Sequence, residues 1–124
     1  MIHHTAIVDL SATIALSATI GEFAIIRPLV RLGHGVTVKA RATIGEGVRV
    51  GDDTFIGPHS CICVWDTDSS HKPGVIGKDV YIGTGAILLP GVKIGDHVTI
   101  AAGSVVTRDC LEPGIYMGSP CRKA

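Results

Sequence analysis

The stretch GKDVYIGTGAILLPGVKIGDHVTIAAGSVV, residues 77–106, returns to the same residue types every six positions, with aliphatic side chains at Ile82, Leu88 and Ile94. Six is not a multiple of the 3.6 residues in an α-helical turn, so one helix face cannot collect these positions. In a β-strand, residues i and i−2 point to the same side, so an aliphatic residue and the one two before it can face one interior. The period therefore predicts short strands joined by turns.

The same ladder of aliphatic residues runs through almost the whole chain. It has eleven steps before a break and six after it, and a small or β-branched residue lies two positions before most of them. Glycine often follows directly, and we expect the glycines and polar residues between ladder positions to supply turns, where positive φ or tight bends are cheap. The aliphatic positions are Ile2, Val8, Ile14, Ile20, Ile26, Leu32, Val38, Ile44, Val50, Ile56, Ile62, then Ile76, Ile82, Leu88, Ile94, Ile100 and Val106.

Strands that turn every six residues predict an all-β triangular prism, a parallel β-helix with three strands and about 18 residues per coil. Successive coils would be hydrogen-bonded about 4.8 Å apart, with Ile, Val and Leu stacked inside. An ordinary β-sandwich would instead show irregular strand lengths and hairpin turns. We predict a single domain, residues 1–124.

Composition narrows the function classes. Eleven basic and eleven acidic residues cancel among 124, so no global field would attract nucleic acid or a membrane surface. No stretch approaches the roughly 20 apolar residues of a membrane helix, and the N-terminus does not resemble a secretory signal. The four cysteines show neither CxxC spacing nor a disulfide framework. We expect a cytoplasmic protein with neither nucleic acid nor membrane as a partner.

The repeat consists of an aliphatic residue, glycine, two variable residues, a small residue and a further variable one. It resembles the hexapeptide-repeat family of left-handed parallel β-helix proteins, most of which are coenzyme A-dependent acyltransferases. The segments YIGTGAILLPGVKIGDHVTIAAGSVVTRD and GSPCRK resemble sugar acetyltransferases, whereas the opening MIHHTAIVDLSATI resembles acyltransferases of nucleotide-linked amino sugars. The resemblance implies acetyl-CoA as donor, a sugar or nucleotide-sugar acceptor, and a homotrimer with active sites between neighbours.

The ladder breaks once. Fourteen residues separate Ile62 from Ile76, where the repeat allows six or twelve, so we predict an extruded loop near residues 63–75. Loops on rigid scaffolds often carry function, and this one contains Asp66, Asp68 and His71. The alternative is a solvated excursion without a function.

Acetyl transfer needs a base that takes the acceptor's proton, and histidine suits that role. His71 matches the family's histidine before the final coils and is our predicted base, with Asp68 or Asp66 orienting its ring. His59, at a turn, is the second candidate. In some relatives such a histidine serves the cofactor instead, and some amino-sugar relatives need no protein base.

Two outward positions predict a groove edge along which the pantetheine arm of the acetyl donor can lie. Thr84 and Ala102 lie 18 residues apart, each two residues after a ladder position, so they should stack on consecutive coils. The resemblance implies that they contact coenzyme A, and it implies the same for Thr107, Arg108 and Arg122, with Lys123 assisting at the phosphates.

Two alternatives to an acyltransferase arise from the same sequence. The related zinc carbonic anhydrases use a His-x4-His pair, which this chain does not contain. The segment HSCIC offers His59, Cys61 and Cys63 as zinc ligands but no evident fourth one, so we predict no metal site. The remaining alternative is a non-catalytic structural or assembly subunit.

Overall fold

The computed structural model describes residues 1–124, and the chain forms short β-strands, most of them two residues long, with no α-helix. Consequently it has no helix that could span a bilayer. In chain order the strands are β1 (Ile7–Val8), β2 (Thr13–Ile14), β3 (Thr19–Ile20), β4 (Ile25–Ile26), β5 (Arg31–Leu32), β6 (Thr37–Val38), β7 (Thr43–Ile44), β8 (Arg49–Val50), β9 (Phe55–Ile56), β10 (Cys61–Ile62), β11 (Val75–Ile76), β12 (Tyr81–Ile82), β13 (Ile87–Leu88), β14 (Lys93–Ile94), β15 (Val98–Ile100), β16 (Val105–Val106), β17 (Gly114–Gly118) and β18 (Cys121–Lys123).

These strands form three sheets, and from β1 to β16 consecutive strands fall on successive sheets. Face 1 contains β1, β4, β7, β10, β13 and β16; face 2 contains β2, β5, β8, β11 and β14; face 3 contains β3, β6, β9, β12, β15, β17 and β18. The pairing is parallel, with an 18-residue offset in most pairs, as in Ile26↔Ile44. The offset is 26 across the break and 16 between β15 and β17, and the β17–β18 pair is antiparallel. The predicted parallel β-helix with 18 residues per coil is confirmed.

The core is the inward ladder. In each two-residue strand the second side chain points inside, and Ile44, Ile82 and Leu88 are fully buried. The residue two positions earlier is also buried, including Thr54 and Ser60, whose hydroxyls donate to the carbonyls of Gly77 and Gly57 at 2.7 Å. No buried side-chain polar atom is left without a partner. Aliphatic stacking and satisfied small polar groups therefore hold the coils together.

In the turns, close packing between coils and positive φ occur at different positions. Gly21 does not have positive φ; a Cβ there would lie 2.9 Å from the Ala40 nitrogen of the next coil, so glycine permits close stacking. Positive φ occurs two residues later, at Phe23 (56°) and at Gly85 (69°), among others. The glycine after the ladder position thus permits close packing between coils, and the positive φ of the turn falls two residues later.

The break in the ladder is an insertion at the corner between faces 1 and 2. Across it the register offset is 26 residues, as in Ile62↔Leu88, instead of 18. Pairing on face 2 shows the same offset, with Val50↔Ile76. The prism therefore continues in register above the insertion, and the predicted extruded loop is confirmed.

Candidate functional site

The inserted segment folds into a small hairpin against the coil beneath it. Trp65 and His71 form an antiparallel bridge, and the Lys72 N–H donates to the Val64 carbonyl at 2.6 Å. The Lys72 ammonium donates to Asp66 Oδ2 at 2.8 Å. This hydrogen bond lowers the pKa of the Asp66 carboxyl and raises that of Lys72. The loop is thus fixed by its own contacts.

The His71 ring is held by the main chain of the preceding coil. Its Nε2 donates to the Glu46 carbonyl oxygen at 2.8 Å, and its face lies beside Trp65, with ring centroids 4.9 Å apart. A carbonyl oxygen can only accept, so the hydrogen of the neutral ring is on Nε2. Nδ1 therefore keeps its lone pair and makes no hydrogen bond within the chain. The exposed ring can accept a proton there.

Neither predicted aspartate orients this ring within the chain. Asp68 Oδ1 accepts the N–H of Ser70 at 2.9 Å and also its hydroxyl, which lowers the pKa of the carboxyl. Asp66 is paired with Lys72. The Glu46 carbonyl takes the orienting position instead. Sequence reasoning missed it because every residue carries a carbonyl oxygen.

His59 has a different setting. It lies at a turn with φ of 61°, is exposed, and its N–H donates to the Ala40 carbonyl at 3.1 Å. No side-chain hydrogen bond fixes its ring. Its position follows from the turn geometry that recurs on every coil.

The predicted donor edge lies at the corner between faces 3 and 1. The Gly103 N–H donates to the Thr84 carbonyl at 2.8 Å, which confirms that Thr84 and Ala102 occupy consecutive coils of one column. Both are exposed. Beside them Gly85 and Gly103 have φ of 69° and 70°, and a Cβ at either would meet nothing within 4 Å. The edge is therefore smooth and open.

The remaining predicted donor residues lie near the C-terminus. Arg108 and Arg122 line one cavity of about 200 Å³, together with Tyr116, while Lys123 Nζ donates to Glu112 at 3.2 Å. Thr107 is exposed directly after β16. Arg108 follows face 1, on the same side of the prism as the His71 loop, whereas Thr84 and Ala102 lie across face 1. One chain therefore does not gather all the predicted residues in one cleft.

Cys61 and Cys63 form a pair on face 1, below the loop. Their sulfur atoms are 3.6 Å apart, and this hydrogen bond lowers the pKa of the Cys61 thiol to about 6 and raises that of Cys63. No set of three or more His, Cys, Asp or Glu side chains is arranged to hold a metal ion. His59 therefore does not complete a zinc site with them.

Comparison with known proteins identifies the family. Residues 30–63 and 73–108, more than half of the chain, match the family described as bacterial transferase hexapeptide (six repeats). The chain belongs to this family. The matched segments flank the His71 loop. The hexapeptide repeat therefore forms the scaffold, and the loop is an insertion between two of its repeats.

Among hexapeptide-repeat relatives, galactoside O-acetyltransferase of Escherichia coli (strain K12) is 32% identical over 125 residues, covering 85% of this chain and 62% of the relative. The chain thus spans less than two thirds of that relative's length. A Vibrio cholerae hexapeptide-repeat acetyltransferase, solved with acetyl coenzyme A, gives a TM-score of 0.71 at 26% identity, covering 84% of this chain and 68% of that one.

A variant of Caulobacter crescentus perosamine N-acetyltransferase, solved with CoA and GDP-perosamine, has a TM-score of 0.67 at 24% identity. The match covers 97% of this chain and 56% of that one. At this identity the likeness shows the shared fold alone.

Proposed function

We propose that this chain is an acetyltransferase that moves an acetyl group from acetyl-CoA to a hydroxyl or amine of a sugar or nucleotide-linked sugar. The observation that carries the proposal is the His71 ring, fixed through Nε2 and free at Nδ1, on the one loop that leaves a hexapeptide-repeat scaffold. Two similar proteins support it: one is a galactoside O-acetyltransferase, and the other is a hexapeptide-repeat acetyltransferase solved with acetyl coenzyme A. The competing proposal is a non-catalytic assembly subunit.

In the proposed reaction His71 acts as general base. The acceptor oxygen or nitrogen attacks the thioester carbonyl carbon while its proton passes to Nδ1 of His71. The new C–O or C–N bond forms, the C–S bond breaks, and the released thiolate takes the proton from the His71 imidazolium, which returns the ring to its neutral form. The Glu46 carbonyl stabilises the imidazolium that forms, because it accepts the Nε2 hydrogen throughout. Asp68 stays a proposed second participant, supported by its place in the same hairpin.

The donor would lie along the column of Thr84 and Ala102, whose exposed edge accepts an extended pantetheine arm. Arg108 and Arg122 suit phosphate groups, since guanidinium pairs with phosphate oxygens in two-point contacts. Thr107 lies next to Arg108 and is included on the resemblance. The column of Thr84 and Ala102 lies at one edge of face 1, and Arg108 lies at the other edge. The proposed donor residues of one chain therefore do not form a single cleft, and a second subunit is needed to close the site.

We therefore also propose a homotrimer with its active sites between subunits. Exposed aliphatic and aromatic side chains on the outer strand positions support it, such as Ile7 (63% exposed) and Tyr81 (48%). Sedimentation at micromolar concentration should give the mass of three chains, and a monomer would contradict the shared site. A cytoplasmic location is proposed because all four cysteines are free thiols.

A turnover assay separates the enzyme from the assembly subunit. The purified chain is incubated with acetyl-CoA and a panel of sugars, amino sugars and nucleotide sugars, and mass spectrometry follows acetylated product. We expect product with at least one class of acceptor. A trimer that acetylates no member of the panel, and does not bind coenzyme A, would favour the assembly subunit.

A further inference from the structure

The outward strand positions of the three faces differ in charge. On face 1 the first strand residues are aliphatic, Thr or Cys, and on strands β3, β6, β9, β12 and β15 of face 3 they are Thr, aromatic or aliphatic. On face 2 three of five are basic: Arg31, Arg49 and Lys93. All three side chains are exposed. Among the strands of the repeating coils, β1 to β16, basic residues therefore occur only on face 2; the C-terminal strand β18 on face 3 adds Arg122 and Lys123.

Arg31 and Arg49 are direct neighbours. They pair in register on β5 and β8, one coil apart, about 4.8 Å along the prism. Like charges directly opposite each other on adjacent strands are destabilising. Neither guanidinium forms a salt bridge or a side-chain hydrogen bond, because the chain's three salt bridges involve other residues: Lys72–Asp66, His97–Asp79 and Lys123–Glu112. The pair lacks an anionic partner within the chain.

The two arginines line a cavity of about 310 Å³ whose other walls are Ser11, Thr13, Leu29 and Gly47. None of these walls carries a carboxylate. The Ser11 hydroxyl donates to Asp9 Oδ1 at 2.7 Å, so that acid is engaged with the wall and not with the arginines. The cavity therefore combines two guanidinium groups that lack an acidic partner with two hydroxyl side chains, a leucine and a glycine.

The cavity borders the proposed base. Gly47 lines it, and a Cβ added at Gly47 would lie 3.6 Å from His71 Cε1 and 3.3 Å from Pro73 Cβ. The preceding residue, Glu46, supplies the carbonyl that holds the ring. The His71 ring and Pro73 thus lie against Gly47, one of the residues that line the arginine cavity.

We infer that Arg31 and Arg49 form an anion subsite that binds the phosphate or diphosphate of the acceptor beside His71. The inference rests on the proposed acetyltransferase function and narrows its acceptor to phosphorylated sugars. Two guanidinium groups one coil apart can each make a two-point contact with phosphate oxygens. The anion offsets their mutual repulsion, and the sugar attached to it is placed at the base.

The first test measures binding without catalysis. The full chain is titrated with inorganic pyrophosphate by calorimetry, and Arg31→Gln and Arg49→Gln are compared with Lys93→Gln. The control removes the same charge from the same face but does not line the cavity. We expect each arginine variant to weaken binding about tenfold or more and the lysine variant to match the unchanged chain. Equal losses in all three variants would mean general electrostatic attraction and would overturn the subsite.

The second test assigns the anion to its source. A nucleotide diphosphate-sugar, a sugar 1-phosphate and coenzyme A each compete with pyrophosphate. Displacement by either phosphorylated sugar supports the inference, and the stronger competitor identifies the source. If coenzyme A alone displaces pyrophosphate, the arginines belong to the donor and the inference is wrong.

The third test uses turnover on a matched pair of acceptors, the same sugar with and without its phosphate. In Arg31→Gln and Arg49→Gln, KM for the phosphorylated acceptor should rise about tenfold, with kcat and KM for acetyl-CoA unchanged. The unphosphorylated sugar should show no such change. Turnover with arginine variants identical to the unchanged chain would refute the subsite and leave the acetyltransferase standing. Arginine-dependent pyrophosphate binding without any turnover would refute the acetyltransferase and leave an anion site.

Discussion

The coils and the inserted loop are stabilised in opposite ways. In the coils the same inward position recurs on every strand, and Ile44 and Leu88 are wholly buried among aliphatic neighbours. In the loop His71 and Trp65 are exposed, and a few polar contacts fix their positions. Because of this difference, substitutions at buried positions of the coils should lower the free energy of unfolding. Substitutions in the loop should instead lower the catalytic rate.

The largest effect expected in the loop is that of His71→Ala. Loss of the proposed base should lower kcat by roughly 10²–10⁴ and leave KM for acetyl-CoA and the unfolding temperature nearly unchanged. The acidic limb of the pH–rate profile should disappear, since it reports deprotonation of the imidazole. Steady-state kinetics across pH measures both. His59→Ala is the control, and a large loss there with none at His71 would move the base to the turn.

In the coils the sharpest comparison lies within one strand, β13. Leu88 is fully buried and its neighbour Ile87 is 38% exposed. Leu88→Ala should lower the free energy of unfolding by about 2–5 kcal/mol through lost burial and the cavity left behind. Ile87→Ala should cost less than about 1 kcal/mol. Denaturant titration at matched protein concentration measures both, and equal losses would contradict the inward–outward division.

A third variant tests whether the coils also carry function at their corners. Ala102→Trp should obstruct the proposed pantetheine edge and weaken coenzyme A binding about tenfold without unfolding the exposed site. Ala40→Trp is the control, because Ala40 occupies the same corner column three coils below. Calorimetric titration with coenzyme A compares them. Normal affinity in the Ala102 variant would show that the donor lies elsewhere.

The smallest effect should come from the ion pair that closes the loop. Asp66→Asn removes the partner of Lys72, and the emission of Trp65, the only tryptophan, reports the change. Because the folded pKa of Asp66 is lowered, its contribution is complete above the ordinary value of 3.8 and is lost as pH falls through the lowered one. Lys72, whose pKa is raised, contributes below 10.5 and loses its contribution as pH rises beyond the raised value.

At any one pH between these limits the emission should be shifted in the variant relative to the unchanged chain. Asp79→Asn removes an exposed carboxylate paired with His97 and lies outside the loop. An identical emission change in both variants would contradict a role for the Asp66–Lys72 pair in ordering the hairpin.

The sequence predicted what is periodic. Burial at Ile82 and Ile100 followed from the six-residue ladder, and the stacking of Thr84 on Ala102 followed from their 18-residue separation. The loop was located because the ladder loses phase there. The same arithmetic applied to Arg31 and Arg49, also 18 residues apart, would have found the arginine pair, although not the absence of acidic partners.

What the sequence did not predict depends on contacts that no period encodes. The bond from His71 to the Glu46 carbonyl arises because the hairpin folds down over the preceding coil, and its residue pairing is not repeated elsewhere. Asp68 was a candidate to orient the ring by residue type, but within the chain the nearer Ser70 donates to its Oδ1. Local competition for hydrogen-bond partners decided the geometry.

The 26-residue offset across the insertion has a consequence for how such a chain can change. Ile62 still pairs with Leu88, and Val50 with Ile76, so the coils above the loop keep the registration they would have without it. The cost of closing a loop rises only slowly with its length. The corner between faces 1 and 2 is therefore a splice point, where a cassette of different length and chemistry can be exchanged while every other residue keeps its place in the lattice.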